Sequence, residues 1–466
     1  MRRIGRWGGA FALVLSLCVT GGAQSASTAG PSSVPNPLNT IDRTGVLSTY
    51  GKTGPIDPTS AFFQSLGSNG RSCATCHQPA DAFSVTPSHL RERFEKTEGT
   101  DPVFRPVDGA NCPSADVSSS QARKQAYSLL LNKGLIRISL PVPAGANFVI
   151  TGIQDPYNCS QTTADLPAMH RRPLPATNLD FLSMIMWDGR ETVAGAVPGK
   201  SIDLIRSLRN QAADALVVHA QATGPPNEQQ LSDIVAFEES LYSAQVYDDA
   251  AHRLVANGAL GGPVDLSTQK FYIGINDAFG DDPNGAPFNP EVFTLYNSWG
   301  SLTNQPNRQA VLMGQSLFNN LPIAITGVAG LNDLVKQPVV NGTCSTCHDT
   351  PNVGNHSFFF SLRVGTTDSP AVSALDISGL PVYTVQCANG HTVELTDPGR
   401  ALVSGRCSDL GKVKVPILRG LAGRAPYFHN GSAATLDKVV EFYNQRFHLN
   451  LTDEEKFDLV AFLKTL

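Results

Sequence analysis

The sequence predicts a mainly α-helical protein built from two similar modules with long loops and insertions. A Cys-x-x-Cys-His pentad occurs at 73–77 and again at 344–348. A nine-residue segment repeats as well: DIVAFEESL at 233–241 follows the first pentad, and DLVAFLKTL at 458–466 follows the second. The duplication of a pentad and a downstream amphipathic segment indicates two units of the same kind.

Each repeated segment lies in a predicted helix with its own start signal. Asn227 stands three residues before Gln230, and Thr452 stands three before Glu455, which is the spacing of a capping box. In the second helix, one buried stripe is expected to contain Phe457, Val460, Ala461 and Leu463.

The pentads carry the chemistry. In each, two thiols can bond to the vinyl groups of a haem and the histidine can ligate its iron. A zinc knuckle or a redox dithiol is the alternative, but neither requires histidine directly after the second cysteine, and neither predicts a second copy. The sequence therefore predicts two cytochrome c-like modules with two covalently bound c-type haems, held by Cys73, Cys76, His77, Cys344, Cys347 and His348.

The N-terminus has the pattern of a secretory signal peptide over residues 1–25. Three arginines precede an apolar run at 10–19 and a small-residue stretch at 21–25. The run is too short to span a bilayer. Leu17 argues against a lipoprotein signal at Cys18. We expect an exported, periplasmic protein with no membrane span.

The remaining cysteines suit an exported protein. Local closure favours disulfides between Cys112 and Cys159 and between Cys387 and Cys407. Free buried thiols are the alternative, because sequence alone does not give the spacing that a disulfide needs.

Charge limits the possible partners, and the repeats indicate the domain organisation. The net charge is −5 before removal of the signal, and no basic field indicates nucleic acid as a partner. The pentads and repeats divide the chain into a first haem domain at 26–242, a connecting insertion at 243–304 and a second haem domain at 305–466. Within these, 26–60 and the insertion are expected to be largely loop, and 136–150 to form a small hairpin.

Several motifs resemble one family. The segments at 414–420, 425–432 and 435–440, with Met-Trp-Asp-Gly-Arg-Glu at 186–191, are similar to the bacterial di-haem cytochrome c peroxidases. The resemblance covers both pentads and the whole C-terminal module. Residues 95–165 and 243–305 look like additions to the family pattern.

The resemblance implies roles for specific residues. His77 would ligate the iron that meets hydrogen peroxide, and His348 the iron that exchanges electrons with a donor. Trp187 would conduct between the haems, and His429 would hydrogen-bond in the haem environment. The implied partners are hydrogen peroxide and an electron-donor cytochrome, a cupredoxin or a protein substrate.

The distal acid-base group departs from the family pattern of a Gln and a Glu. The candidates are Gln211, His219 and Gln221, and no Glu occupies the expected place. An imidazole at His219 can shuttle a proton near neutral pH, whereas a histidine packed on an apolar helix is the ordinary alternative. His89 or His170 is a further candidate to cover that haem face.

The family's calcium site is altered too. It uses an Asn side chain and two backbone carbonyls, but Arg172 stands at the Asn position and Arg424 near the second carbonyl. Two guanidinium groups would repel a dication, so the sequence leaves calcium doubtful and offers haem propionates as alternative partners of both arginines.

The sixth ligand of the second haem also differs. No methionine follows the second pentad, and the family's ligand position, fourteen residues after His429, is Tyr443. His448, His391 and His356 are the alternatives, as is an ordinary core role for the tyrosine. At this point the chain resembles the MauG-like branch, in which the haem has His/Tyr ligation.

The resulting prediction is a periplasmic di-haem oxidoreductase that reacts with hydrogen peroxide and can oxidise a protein partner. A non-enzymatic di-haem electron carrier is the alternative, and an oxygenase on the same scaffold is a third interpretation.

Overall fold

A computed structural model describes residues 34–196 and 201–466, so the predicted signal peptide lies outside the described residues. The α-helices in these residues are α1 Pro87–Thr97, α2 Ser120–Ala126, α3 Ser128–Lys133, α4 Leu204–Val218, α5 Glu228–Glu239, α6 Pro263–Leu266, α7 Pro306–Asn320, α8 Ala401–Ser404, α9 Leu436–Phe447 and α10 Asp453–Lys464. The strands are β1 Leu38–Ile41, β2 Gly45–Gly51, β3 Ile136–Ser139, β4 Phe148–Gln154, β5 Ala168–Arg171, β6 Leu241–Asp248, β7 His252–Arg253, β8 Ile323–Thr326, β9 Val339–Gly342, β10 Ser361–Leu362, β11 Val382–Cys387, β12 Thr392–Leu395 and β13 Val413–Lys414.

The secondary-structure content is more mixed than the sequence predicted. About 30% of the chain is helical and 16% lies in strands, so a mainly α-helical class is confirmed only in part. Residues 34–466 form one compact unit, and the domain boundaries at 242 and 305 stay predictions. In the described residues, no helix has both the length and the apolar composition for a bilayer span.

The two repeated helices form as predicted. Both capping boxes are present, at Asn227 with Gln230 and at Thr452 with Glu455. Helix α10 packs closely on α7 at Gly314. A Cβ at this position would lie 1.9 Å from the carbonyl oxygen of Asp458, so no larger residue fits there. The predicted stripe is wrong at Phe457, whose side chain is 60% exposed, since the helix buries its opposite face against α7.

Segments predicted as loops contribute strands and core. Residues 38–51 supply β1 and β2, and β2 pairs antiparallel with β6 in a four-stranded sheet of order β1-β2-β6-β7. The predicted connecting insertion contains β7 and places Phe293, Tyr296 and Trp299 in a core shared with α7 and α10. Its Gly- and Pro-rich turns concealed these buried aromatic residues.

The predicted hairpin at 136–150 is wrong. Strand β3 pairs with β5, whereas β4 joins β11 and β12 in a three-stranded sheet. The β-branched residues did mark strands, but their partners lie far away in the sequence. The strand β4 thereby ties the 95–165 insertion to the C-terminal half of the chain.

Both predicted disulfides are confirmed. Cys112 is bonded to Cys159 and Cys387 to Cys407, with Cα separations of 5.5 and 5.7 Å. The four pentad cysteines take no part in a disulfide.

Candidate haem sites

Two cavities, of about 230 and 170 Å³, lie against the two pentads. The smaller, here the first cavity, is lined by Cys73, Cys76 and His77. The larger, here the second cavity, is lined by the residues of the second pentad, Cys344, Cys347 and His348. Each cavity therefore presents on its wall the two thiols and the histidine of one pentad, the groups predicted to attach a haem and ligate its iron.

Each pentad begins with a short 3-10 helix, at Cys73–Thr75 and Cys344–Thr346. The ring Nδ1 of His77 lies 2.9 Å from the carbonyl oxygen of Phe83, and that of His348 lies 2.5 Å from the carbonyl oxygen of Gly354. A carbonyl can only accept, so Nδ1 carries the proton and Nε2 keeps its lone pair for a metal.

The protonation of both histidines suits this role. Burial lowers the pKa of His77, and it lowers the pKa of His348 to about 4. Both rings are therefore neutral at physiological pH, the form in which imidazole ligates iron.

The wall shared by the cavities carries cations that suit haem. Lys414 lines both cavities, and its buried ammonium donates to the carbonyl oxygen of Met184 at 2.9 Å. No carboxylate in the described residues lies within ion-pair distance of it, and burial lowers its pKa to about 7. A buried cation is costly without an anion, and haem brings two propionate carboxylates. The thiols, the ligating histidines and this cation therefore fit haem.

Trp187 also lies in the shared wall. It is one of nine residues that line both cavities, with Arg172, Pro173, Leu174, Pro175, Lys414, Pro416, Ile417 and Arg424. Its indole N–H donates to the carbonyl oxygen of Arg172 at 2.8 Å, and its ring meets that of His429 edge-on at 6.1 Å. The position supports the predicted conducting role, which stays a prediction.

We expect Trp187→Phe to retain both haems but to slow electron exchange between the two irons. Loss of the indole hydrogen bond should cost about 1 kcal/mol of stability. Trp299→Phe is the matched control, because Trp299 is equally buried and donates to the carbonyl oxygen of Ala256 at 2.9 Å, but lines neither cavity. Equal exchange rates in wild type and Trp187→Phe, followed by stopped-flow absorbance, would contradict the role.

His219 projects into the first cavity from the end of α4 and is held by a buried carboxylate. Its Nδ1 lies 2.6 Å from Asp108 Oδ2, and Asp108 Oδ1 accepts from Arg71 at 2.6 Å. All three residues line the cavity. Burial opposes ionisation of Asp108, but the bond from His219 and the charge of Arg71 outweigh it and lower its pKa. An ionised Asp108 fixes the proton on Nδ1 of His219 and leaves Nε2 as a proton acceptor.

Asp108 was missed in the sequence because it lies in the 95–165 insertion, outside any motif. Nothing local to Pro106-Val107-Asp108-Gly109 marks a functional carboxylate. Only the fold brings this loop, which precedes α2, to the end of α4.

Of the other predicted distal residues, only Gln211 lines the first cavity. Gln211, on α4, lines the first cavity. Gln221 does not, because the chain turns after α4 and leaves its side chain exposed, where it accepts from Asn69 at 3.2 Å. His89, paired with Asp81, and the fully desolvated His170 do not line the first cavity either.

Tyr443 lines the second cavity from α9. Burial, together with nearby Cys344 and Cys347, raises the pKa of its phenol, so a phenolate there would need the positive charge of a metal. Among the alternatives, His448 and His391 are exposed, and His356 is paired with Asp349 at 2.5 Å; none lines the cavity. The structure therefore brings only the tyrosine of these four to the second cavity.

His429 lines the second cavity as well, and both of its ring nitrogens lack hydrogen-bond partners in the part of the chain that the structure describes. Burial lowers its pKa to about 4, and its Nε2 lies 3.7 Å from Asp397 Oδ2. The ring is thus a neutral imidazole without a bonding partner of its own in the protein, consistent with the predicted contact to haem.

Comparison with known proteins finds similarity to cytochrome c peroxidases. No family model matches the chain. A cytochrome-c peroxidase of Denitromonas iodatirespirans, IdrP2, is 34% identical over 135 residues, which cover 27% of this chain and 36% of that protein. The cytochrome c551 peroxidase of Nitrosomonas europaea is 40% identical over 100 residues, which cover 18% of this chain and 30% of that protein.

Over these segments the chain is similar to bacterial cytochrome c peroxidases. The family resemblance in the sequence is thereby confirmed, although the matches span only about a third of the length of these two relatives. Two solved structures are also similar. A MauG-like protein associated with microbial copper homeostasis has a TM-score of 0.36 at 13% identity, with 95% of each chain covered. A variant of the diheme peroxidase BthA from Burkholderia thailandensis has a TM-score of 0.29 at 17% identity, with 93% of each covered.

The internal repeat shows one difference between the two cavities. Glu238 of α5 lines the first cavity, and the matching position in the second repeat is Leu463, which lines the second cavity. Oε2 of Glu238 has no hydrogen-bond partner within residues 34–196 and 201–466, and burial raises the pKa of this carboxyl to about 8. Aligning the two repeats in the sequence could have identified Glu238 as unusual, because a carboxyl stands there in place of a leucine.

We expect Glu238→Gln to flatten the pH dependence of stability. A carboxyl with its pKa raised from 4.5 to about 8 stabilises the folded state fully below about pH 4.5. This contribution is lost as pH rises through 8, with a slope of up to about 1.4 kcal/mol per pH unit. Urea unfolding between pH 5 and 8 measures the slope. Glu228→Gln, at an exposed position of the same helix, should keep the wild-type slope; an unchanged slope in Glu238→Gln would contradict the assignment.

Proposed function

We propose that the protein is a periplasmic di-haem c-type oxidoreductase that reacts with hydrogen peroxide at the first cavity and stores or exchanges electrons at the second. The observation that carries this proposal is the shared wall: two pentad-lined cavities meet at Trp187 and Lys414. When bound, each haem supplies an iron whose oxidation state can change.

The protein's own groups support a peroxide site in the first cavity. His219 can accept a proton at Nε2 and return it, because Asp108 holds Nδ1 in its protonated form. Gln211 adds an uncharged hydrogen-bonding group on the same wall. The second cavity has no comparable pair, since the Tyr443 phenol has no protein base bonded to it in the described residues. This difference is expected if peroxide reacts in the first cavity and Tyr443 ligates the haem iron in the second.

A protein substrate is favoured over simple peroxide removal by one observation. The second cavity contains Tyr443 and no methionine. A phenolate stabilises oxidised iron, whereas methionine ligation raises the potential. Oxidising equivalents would then be held within the protein for a slow protein partner. Rapid reduction by a small cytochrome or cupredoxin would fit methionine ligation better.

The test is a peroxide titration of the haem-loaded protein. Haem content should be two per chain, as the two pentads require, and peroxide should be consumed with a change in the absorbance of both haems. A non-enzymatic carrier would have both irons six-coordinate and inert to peroxide. Full haem loading without peroxide consumption would therefore favour the carrier over the oxidoreductase.

The choice of partner needs a second measurement. Peroxide-oxidised protein is mixed with a reduced small cytochrome or a cupredoxin, and its return to the resting spectrum is timed. Slow return with these donors would support a protein substrate, and rapid return would support peroxide removal.

A further inference from the structure

The Arg172 guanidinium is buried where three parts of the chain meet. Its Nη1 donates to the carbonyl oxygen of Lys133 at 3.1 Å, and its Nη2 donates to those of Val85 at 2.7 Å and Arg424 at 3.0 Å. These carbonyls belong to the loop before α1, the end of α3 and a short helix of the C-terminal half. In the described residues, no carboxylate lies within ion-pair distance of this guanidinium. It is therefore a cation held by carbonyl oxygens.

A ring of carbonyl oxygens around a cation is the arrangement that calcium uses in proteins. The family resemblance places calcium at this position, with the Asn ligand at 172 and one carbonyl ligand near 424. The structure does not fit a calcium ion. Residue 172 offers donors in place of an oxygen ligand, and the carbonyl oxygen of Arg424 already accepts from it. A dication beside two guanidinium groups would also be repelled.

We propose that the Arg172 side chain takes the place of the calcium ion, as a cation covalently tethered at the junction of the two haem sites. Five N–H donors allow one guanidinium to bind several carbonyl oxygens at once. Burial lowers the pKa of Arg172 to about 10, so the group stays charged at physiological pH. Unlike a metal ion, it does not dissociate.

The surrounding chain is shaped for this group. Gly134, with φ +63° at the end of α3, has no side chain, and a Cβ there would lie 2.1 Å from Nη1 of Arg172. The guanidinium of Arg424 donates instead to the carbonyl oxygens of Gly420, Ile417 and Arg419. The two cations thus have separate sets of acceptors.

The backbone of Arg172 also bonds to groups between the cavities. The carbonyl oxygen of Arg172 accepts from the Trp187 indole at 2.8 Å, and its backbone N–H donates to the carbonyl oxygen of His429 at 2.6 Å. The backbone of Arg172 thus connects two residues that line the second cavity. The wall between the cavities should therefore be independent of calcium.

The first test uses the haem-loaded wild type. Elemental analysis should find no stoichiometric calcium, and neither a calcium chelator nor added calcium should change its Tm or its haem absorbance. Stoichiometric calcium that the chelator removes with a fall in Tm would overturn the proposal. This measurement does not involve peroxide, so it is decided separately from the proposed function.

The second test is a gain of response. Arg172→Asn restores an oxygen ligand and frees three carbonyl oxygens, so calcium at a hundred times its Kd should raise the Tm of the variant by about 2 °C or more. Arg123→Asn is the matched control: Arg123 also donates to backbone carbonyls, of Glu98 and Val117, but far from residue 172 in the chain. It should gain no response. A folded Arg172→Asn variant that ignores calcium would count against the proposal, and if that variant does not fold, the wild-type measurements decide.

Discussion

His219→Ala is expected to slow peroxide consumption by about 10²-fold or more, the usual contribution of a general acid-base group. The side chain lines the first cavity, and its Nε2 faces away from the bond between Nδ1 and Asp108. Removing the ring leaves Gln211 as the nearest predicted distal group, and an amide does not accept a proton at neutral pH. Stopped-flow measurement of peroxide consumption by protein with full haem content gives the rate.

The matched control is His89→Ala. His89 is also half-buried and pairs through Nδ1 with a buried carboxylate, that of Asp81, at 2.7 Å, but it does not line the first cavity. Its loss should leave the rate unchanged. Asp108→Asn should keep the ring in place but remove the charge that fixes its tautomer, and so give an intermediate rate. A wild-type rate in His219→Ala would exclude His219 from the chemistry.

The sequence predicted the elements whose signals are local. Both pentads and both capping boxes follow from spacing, and local closure favoured the two disulfides that form, since two to about fifty residues separate the groups concerned. Trp187, His219 and Tyr443 all lie on cavity walls, and their roles stay predictions. Motifs of this kind record a local geometry that the fold must satisfy.

What the sequence did not predict depends on distant pairing. Strand β4 finds its partner β11 more than two hundred residues away, and Asp108 reaches His219 across an interval of about a hundred residues. The turn residues at 243–304 predicted loops, but this segment also contains β7 and α6 and buries Trp299. Loop closure over such distances depends on tertiary packing, which a local pattern does not contain.

Tyr443→Phe is expected to open a coordination position on the His348 haem, and Tyr443→His is expected to keep it filled. The phenol lines the second cavity with the pentad thiols, and burial raises its pKa, so only a bound cation makes the phenolate favourable at neutral pH. The spin state, measured by electron paramagnetic resonance and absorbance, should be low-spin in wild type and in Tyr443→His. It should become high-spin or bind water in Tyr443→Phe. Loss of the phenolate should also raise the reduction potential of that haem by about 100 mV or more, since axial ligands set potentials over roughly 0.8 V.

His429 makes this test decisive, because its unbonded imidazole lines the same cavity. If His429 were the ligand, Tyr443→Phe would remain low-spin with an unchanged potential, and His429→Ala would produce the open site. If Tyr443 is the ligand, His429→Ala should shift the haem absorbance only slightly and keep the low-spin signal. Tyr247→Phe, a tyrosine outside both cavities, controls for the loss of a phenol elsewhere. A low-spin haem in Tyr443→Phe would show that the Tyr443 phenolate is not the sixth ligand. The main reason to favour oxidation of a protein partner over simple removal of peroxide would then be lost.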